Sequence, residues 1–256
     1  MQAETANLPD WHDEAAYAPL LDADRSLFAW EWLRRDAHYR AAAEEALSSG
    51  PRDFDNADAG RFGLVAVEAP QLGVPHARPV WRSDIHPFVL TAEPGKTDAA
   101  VASLEWGRLR TITRVIATED AEHLLLSDGL RAIRLDGPPG AFGSGPVCLR
   151  YSVEGLASAE APLLTLRRFL ALCRTGNFSR SLHRREVRAR RWIMMLRAHD
   201  ALVAGADQRQ IAGELFSRSV VDPCWRSRES SVRSQVQRLV RSARRFALGG
   251  YRLLLR

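Results

Sequence analysis

The hydrophobic pattern of residues 232–247 is the feature that most constrains the fold of this chain. At helical steps of about 100°, the apolar side chains fall on one side, while basic and amide side chains cover the other. The apolar set is Val232, Val236, Leu239, Val240, Ala243, Phe246 and Ala247. We therefore expect a long surface helix that packs one side on a core and leaves the other side accessible.

Positive charge is concentrated in the same part of the chain. Residues 180–256 hold eighteen arginines and six acidic residues, whereas residues 1–179 hold 18 basic and 25 acidic residues. No acidic residue occurs within 230–256. A solvated helix face usually alternates in the sign of its charges. A basic face without carboxylates instead indicates a nucleic-acid-binding module.

The overall composition is that of a globular protein. The 256 residues are 46% hydrophobic and 26% charged, which is enough apolar material for a core. The longest apolar runs are too short for a membrane span, and the first residues lack the features of a signal peptide. We therefore expect a cytoplasmic, nucleoid-associated protein without membrane contact. Cys148, Cys173 and Cys224 are widely spaced and odd in number, which predicts buried free thiols.

Three segments with different patterns follow one another along the chain. Residues 1–60 are predicted to form a helical regulator-like domain, with helices at 26–35 (capped by Asp24 or Ser26) and at 37–48. Residues 61–160 are predicted to be β-rich, and residues 161–256 to form a helical DNA-binding region; alternatively, 61–256 form one domain. The predicted fold class is α+β, with a small N-terminal helical domain, then a small antiparallel β-sheet followed by a helical bundle.

Short apolar runs separated by glycine and proline predict the strands of the middle segment. The runs are 62–67, 88–91, 111–116, 123–126, 130–135 and 147–151. Ser127, Asp128 and Gly129 lie between two of them, and Asp-Gly readily adopts the positive φ angles that tight hairpin turns need. A β-hairpin is therefore predicted around Asp128.

The segment 200–232 contains the parts of a helix-turn-helix. A helix from about 184 to 204 is expected to end at Gly205, and Asp207 is expected to cap a short second helix. The predicted core positions of that second helix are Ile211, Ala212 and Leu215. About ten more residues precede the last helix than an ordinary turn contains, so residues 217–228 are expected to loop out. The sequence therefore predicts a variant helix-turn-helix.

Candidates for DNA contact lie mainly on the last helix. The side chains expected at base edges in the major groove are Arg233, Ser234 and Gln237. The side chains expected at phosphates are Arg238, Arg241 and Arg245. The remaining candidates, on the second helix, the insert and the last helix, are Arg209, Gln210, Arg228, Ser230, Ser231 and Arg244. Double-stranded DNA is therefore the predicted partner.

Several motifs resemble a known family of regulators. Residues 23–35 with 38–40 resemble the N-terminal domain of proteobacterial regulators carried on integrative and conjugative elements. A second set of motifs resembles the C-terminal domain shared by rhizobial excision activators of the FseA type and single-domain antiactivators of the QseM type. These motifs are residues 126–135, 190–193, 196–202, 225–226, 238–241 and 249–255.

The resemblance implies a transcriptional activator of the excision or transfer genes of a mobile genetic element. Its C-terminal domain would bind promoter DNA, and an antiactivator protein would titrate it. Because both domains occur in one polypeptide, the activator is the better match. We expect the activator to recruit or assist RNA polymerase. Two alternatives remain open from the residues alone: a protein-binding antiactivator that sequesters another regulator, and a plasmid-type replication or partition protein.

No pattern in the sequence predicts catalysis. Gly95-Lys96-Thr97 is similar to the end of a phosphate-binding loop, but Leu90 occupies the position of the required first glycine. The seven histidines show no paired spacing for metal ligands. We therefore expect no catalytic residues, no metal site and no cofactor, and the protein is not expected to be an enzyme.

Overall fold

The computed structural model describes residues 8–48, 56–95, 107, 109–143, 148–216 and 231–256. With 48% helix and 14% strand, it confirms the predicted α+β class. The α-helices of the described residues are α1 (Arg25–Leu33), α2 (Ala37–Ser48), α3 (Asn56–Arg61), α4 (Glu160–Thr175), α5 (Ala189–Val203), α6 (Gln208–Phe216) and α7 (Ser231–Ala247). The strands are β1 (Val89–Pro94), β2 (Thr113–Ala117), β3 (Glu122–Ser127), β4 (Ala132–Gly137) and β5 (Leu149–Ser152). Turns of 3-10 helix cover Glu14–Asp22, Arg110–Ile112 and Gly250–Leu255.

The two N-terminal helices begin at aspartate caps, of which the one at Asp24 was predicted. The Asp24 carboxylate accepts a hydrogen bond of 3.2 Å from the backbone N–H of Leu27. The Asp36 carboxylate accepts bonds of 2.8 and 3.2 Å from the backbone N–H groups of His38 and Tyr39. These bonds satisfy donors that have no partner within the first turn of a helix. Local chemistry thus fixes where α1 and α2 start.

The five strands form one mixed sheet in the order β2-β3-β4-β1-β5. Strands β2, β3 and β4 form an antiparallel meander, and β5 is antiparallel to β1. Strand β1 lies beside β4 in parallel, with Leu90 opposite Leu135. The prediction of a purely antiparallel sheet was therefore wrong. Two reversals in the meander turn β4 back to the direction of β1, and no local pattern encodes that pairing.

The predicted strand at residues 62–67 is not formed. Only Leu64 makes a bridge, to Trp81. Gly63 has a φ of +85° in the turn that follows α3, which prevents an extended run. Leu64 and Val65 are nevertheless buried, so the apolar run reflects packing in a connecting segment instead of a strand.

The predicted hairpin joins β3 to β4. Ser127 pairs with Ala132, so the connection consists of residues 128–131. The Asp128 carboxylate accepts hydrogen bonds of 2.9 and 2.7 Å from the backbone N–H groups of Leu130 and Arg131. Gly129 has a φ of +95°, the left-handed conformation expected for it.

Three hydrophobic clusters are present among the described residues: two large cores, and a small one formed by Val65, Val80 and Leu125. The larger core joins α1, α5, α6, α7 and the last 3-10 helix, and it includes Trp32, Leu196 and Val236. The second core lies between the sheet and α4, with Leu124 and Phe169 among its buried residues. The N-terminal helices thus share a core with the C-terminal helices. The domain boundaries near residues 60 and 160 remain predictions.

The two cysteines that the structure describes test the prediction of buried free thiols. Cys148 and Cys173 are free, but they are half-buried and not fully buried as predicted; Cys224 lies outside the described residues. Burial raises the pKa of the Cys173 thiol to about 11.

Among the helices that the structure describes, none combines the length and apolar character needed to span a bilayer.

Candidate nucleic-acid interface

Helices α5, α6 and α7 pack on one another in the predicted helix-turn-helix order. Helix α5 ends at Val203, and Gly205, with a φ of +84°, turns the chain towards α6. Helix α5 starts at Ala189, later than predicted. Val187, within the predicted helix, is 94% exposed. The residues just before α5 therefore belong to a connecting segment.

A capping box fixes the start of α6. The Asp207 carboxylate accepts hydrogen bonds of 2.7 and 2.8 Å from the backbone N–H groups of Arg209 and Gln210. In return, the side-chain oxygen of Gln210 accepts a bond of 2.7 Å from the backbone N–H of Asp207. This reciprocal arrangement satisfies several N-terminal donors of the helix. The cap predicted at Asp207 is confirmed, and the Gln210 oxygen is engaged within the protein.

The packed sides of α6 and α7 consist of the predicted residues. Ile211 and Ala212 are fully buried, and Leu215 is half-buried against the same core. Val236 and Ala243 are also fully buried on α7. Small side chains such as Ala212 and Ala243 allow close packing of helices. The Phe246 ring lies 5.5 Å from the Trp32 ring of α1, so α1 also supports α7.

The opposite side of α7 is exposed and basic. Its exposed side chains are Arg233, Ser234, Gln235, Gln237, Arg238, Arg241, Arg244 and Arg245; we call them the α7 basic face. Among the described residues, no carboxylate lies within 4.0 Å of the guanidinium groups of Arg238, Arg241, Arg244 or Arg245. Their mutual repulsion is therefore not offset by ion pairs within this part of the protein.

The structure describes three of the other candidates for DNA contact. Arg209 and Gln210 are exposed in the first turn of α6, the helix that packs on α7. Ser231 is the first residue of α7. Arg228 and Ser230, with the predicted loop at 217–228, lie outside the described residues.

A buried network of charged side chains connects the end of α1 to α5. The Arg35 guanidinium donates bonds of 2.8 Å to both carboxylate oxygens of Asp200. It also donates a bond of 2.5 Å to Glu31, which accepts a bond of 2.8 Å from Arg34. The Tyr17 hydroxyl donates a bond of 2.6 Å to Asp200. All these charged side chains are buried, so each one depends on its partners.

The pKa shifts in this network follow from burial and charge. Burial alone would raise the pKa of Glu31, but the Arg35 and Arg34 guanidinium groups outweigh it and hold that pKa below its ordinary value. Burial would lower the pKa of Arg35, yet the carboxylates of Asp200 and Glu31 raise it. Burial, together with the Asp200 charge, raises the pKa of Tyr17. Glu31 and Arg35 are therefore held in their charged forms, with Tyr17 as a neutral donor.

The spacing of three charged residues in the sequence is a signal for part of this network. Glu31, Arg34 and Arg35 are spaced i, i+3 and i+4 within or next to a helix whose other side chains are mostly apolar and aromatic. Charges in such a helix are either exposed or paired inside the protein. The partner Asp200 was not predictable, because it is 165 residues from Arg35.

A second contact attaches the N-terminal residues to α5. The buried Arg197 side chain donates bonds of 3.0 and 3.4 Å to the backbone carbonyl groups of Trp11 and His12. Its guanidinium also lies 3.5 Å from Glu14 and 3.9 Å from Glu214 of α6. Arg197 thus contributes to holding the N-terminal segment, α5 and α6 in one arrangement.

Comparison with known protein families gives two matches on separate parts of the chain. Residues 10–64 match a proteobacterial transcriptional regulator-like domain. Residues 156–256 match a family described as T6SS, transcription factor, DNA binding domain, and this range contains the α7 basic face. No curated protein matches the chain. The two matches support a DNA-binding transcription regulator.

Proposed function

We propose that the protein binds specific sites on duplex DNA through the α7 basic face and activates the excision or transfer genes of a mobile genetic element. The observation that carries the proposal is the exposed basic face, whose four C-terminal arginines have no carboxylate partner among the described residues. An α-helix fits the major groove of B-DNA. The phosphates of DNA offer the negative charge that this face lacks.

Roles within the face follow from position along α7. Arg233, Ser234 and Gln237 lie in the first two turns, the part of a recognition helix that usually contacts bases. Guanidinium groups pair with guanine edges and amides with adenine edges. Arg238, Arg241 and Arg245 lie further along and would contact phosphates, which provide affinity without sequence preference.

Helix α6 and the N-terminal helices have supporting roles in this proposal. Arg209, exposed in the first turn of α6, would contact a phosphate. The contacts of α1 with α5 and α7 would keep the basic face in a fixed orientation. A rigid supporting shell is needed for precise base contacts.

The activating role and the genetic setting rest on the resemblance to excision activators of the FseA type. In this proposal the protein recruits RNA polymerase at a promoter, works in the cytoplasm at the nucleoid, and is titrated by an antiactivator protein. An antiactivator role for the chain itself would instead place an acidic protein surface on the α7 basic face. The experiment below separates these roles, because only the first requires DNA.

The test is selection of a preferred duplex from a random library, followed by fluorescence anisotropy with that duplex across a salt series. We expect binding that weakens steeply with salt, because counterions are released from neutralised phosphates. Arg241→Ala should reduce the slope of log K against log salt by about one unit and weaken all sequences alike. Gln237→Ala should relax the preference at one base position, at a cost of about tenfold in affinity for the preferred duplex.

The matched control is Arg174→Ala. Arg174 is an exposed arginine in the last turn of α4, outside helices α5, α6 and α7. Removing its charge should leave the affinity for DNA and the salt slope unchanged. Binding that is absent or insensitive to salt would contradict the proposal. An equal effect of Arg174→Ala and Arg241→Ala would contradict the assignment to the α7 basic face.

A further inference from the structure

A cavity of about 920 Å³ lies where α1, the sheet, α4 and the C-terminal segment meet. Its size falls within the range typical of small-molecule pockets. Among the residues that the structure describes, none of those predicted to contact DNA lines it. The cavity therefore has no part in the proposed DNA contact, and its own chemistry indicates what it would bind.

Part of the cavity wall is apolar. It includes Val80, Trp81, Phe88, Leu125 and Leu164. Val80, Trp81 and Leu125 are buried core residues, contributed by the segment before the sheet and by β3. Such walls would take up the apolar body of a ligand.

The charged side chains around the cavity are mainly arginines. Three of these arginines are paired within the protein: Arg25 with Glu186, Arg134 with Asp136, and Arg185 with Asp22. Four more line the cavity without a carboxylate within 4.0 Å among the described residues: Arg167, Arg168, Arg184 and Arg256. Asp24, which also lines the cavity, forms no ion pair within 4.0 Å among the described residues, although its charge acts on Arg168. The cavity therefore carries a net positive charge.

Arg168 is the best-placed binding group. Its Nε donates a bond of 3.0 Å to the carbonyl of Leu182, and its guanidinium carbon lies 5.8 Å from the centre of the Phe88 ring. These contacts fix the side chain, while its two terminal amino groups have no acceptor within the described residues. A half-buried guanidinium with free donors is a strong site for a carboxylate, sulfonate or phosphate group.

His86 is a further polar side chain in the cavity, close to the charges of Arg134 and Arg168. Its ring lines the cavity and forms no hydrogen bond with a described residue. Burial lowers the pKa of His86 to about 3, and the nearby charges of Arg134 and Arg168 contribute. The imidazole is therefore neutral at physiological pH, and it can donate to or accept from a bound group without adding charge.

We propose that this cavity is a binding site for a small organic anion that joins an apolar body to a carboxylate, sulfonate or phosphate group. Arg168 and Arg184 bind the charged group, and the walls formed by Trp81, Phe88 and Leu164 contact the apolar body. The site lies between the start of α1, the sheet, α4 and the C-terminal segment, so its occupant contacts all four parts of the protein.

The test uses a matched pair of probes, 8-anilinonaphthalene-1-sulfonate and N-phenyl-1-naphthylamine, which differ by the sulfonate group. Fluorescence titration of the full chain should give one saturable site for the sulfonate. The uncharged probe should bind at least tenfold more weakly, because it cannot accept charged hydrogen bonds from Arg168. Equal affinity for the two probes, or no saturable binding of the sulfonate, would overturn the proposal.

Variants assign the binding to this cavity. Leu164→Trp should weaken binding of the sulfonate by placing a bulky ring in the cavity, and Arg168→Met should weaken it about tenfold. Arg184→Gln, at an exposed position with no hydrogen bond to a described residue, should weaken it about threefold without affecting folding. Arg174→Gln, two helical turns from Arg167 on α4, is the control and should bind as the unsubstituted protein does. Unchanged binding in both Leu164→Trp and Arg184→Gln would overturn the assignment.

Discussion

Arg35, two residues beyond the end of α1, and Asp200 of α5 form a bidentate ion pair with two N–O distances of 2.8 Å. Both side chains are buried, and each belongs to a different one of the two regions that match regulator families. Burying charges is costly, so such a pair holds two elements in one geometry instead of adding much net stability. The pair therefore fixes the orientation of α5 relative to the N-terminal helices.

Arg35→Met should lower the free energy of unfolding by about 3–5 kcal/mol. The substitution leaves the buried carboxylates of Asp200 and Glu31 with too few donors, since Arg34 pairs only with Glu31. The double variant Arg35→Met, Asp200→Leu should lose less than the sum of the single losses, because it removes both charges. Urea denaturation followed by circular dichroism measures these values.

The control for this prediction is an exposed ion pair. Arg82 and Asp84 lie 3.0 Å apart with half-exposed side chains, and exposed pairs contribute about 1 kcal/mol or less. Arg82→Met should therefore change stability by less than that. If Arg35→Met had an effect as small as that of Arg82→Met, the Arg35–Asp200 pair would not have the structural role assigned to it.

Locally encoded elements were predictable from the sequence. The bounds of α2 matched the prediction of 37–48, since a cap at Asp36 and alanine-rich composition act within a few residues. The two-sided character of α7 and the cap of α6 at Asp207 followed from the same short-range chemistry. The exposed side of α7 was therefore identified correctly from periodicity alone.

Long-range pairings were not predictable in this way. The parallel pairing of β1 with β4 and the contact of Arg35 with Asp200 join residues far apart in sequence. Hydrophobic periodicity gives the face of a strand but not its neighbour. The run at 62–67 shows the same limit, because a buried connecting segment and a buried strand have similar composition.

The capping box of α6 leads to a second prediction. Asp207→Ala removes the acceptor for two backbone N–H groups and should cost about 1 kcal/mol of stability, within a range of about 0.5–2. Thermal and urea unfolding measure this loss. Glu160→Ala, at an exposed first-turn position of α4 without a side-chain cap bond, should change stability by about 0.5 kcal/mol or less. Similar losses in the two variants would contradict the role of Asp207.

The β3–β4 connection provides a third prediction. In Gly129→Ala, an alanine would have to adopt a φ of +95°, and its methyl group would lie 2.2 Å from the backbone oxygen of Pro75. Gly140→Ala is the matched control, because Gly140 has a φ of +80° and open space around it. The control should lose about 1–2 kcal/mol from backbone strain, and Gly129→Ala should lose clearly more. Equal losses in urea denaturation would show that the loop can move away from Pro75.

The fourth prediction concerns pH and the buried His183. Burial lowers the pKa of His183 to about 4, and the nearby Arg168 charge contributes. Its Nε2 atom has no hydrogen-bond partner in the described structure. The unfolded chain takes up a proton on this residue below about pH 6.5, whereas the folded protein does so only near pH 4. Stability should therefore fall as the pH decreases from 6.5 to 4, by about 1.4 kcal/mol per pH unit from this residue.

His183→Gln isolates this contribution, because it removes the titrating group while a side-chain amide can still donate to the Ser179 carbonyl that now lies 3.0 Å from His183 Nδ1. His86, whose pKa is also lowered, contributes to the acid sensitivity of both proteins and cancels in the comparison. Free energies of unfolding from urea titrations at pH 7, 6 and 5 should therefore converge: the variant loses less stability than the unsubstituted protein at each lower pH. Parallel plots of unfolding free energy against pH for the two proteins would contradict the prediction. They would mean that His183 is protonated as readily in the folded state as in the unfolded chain.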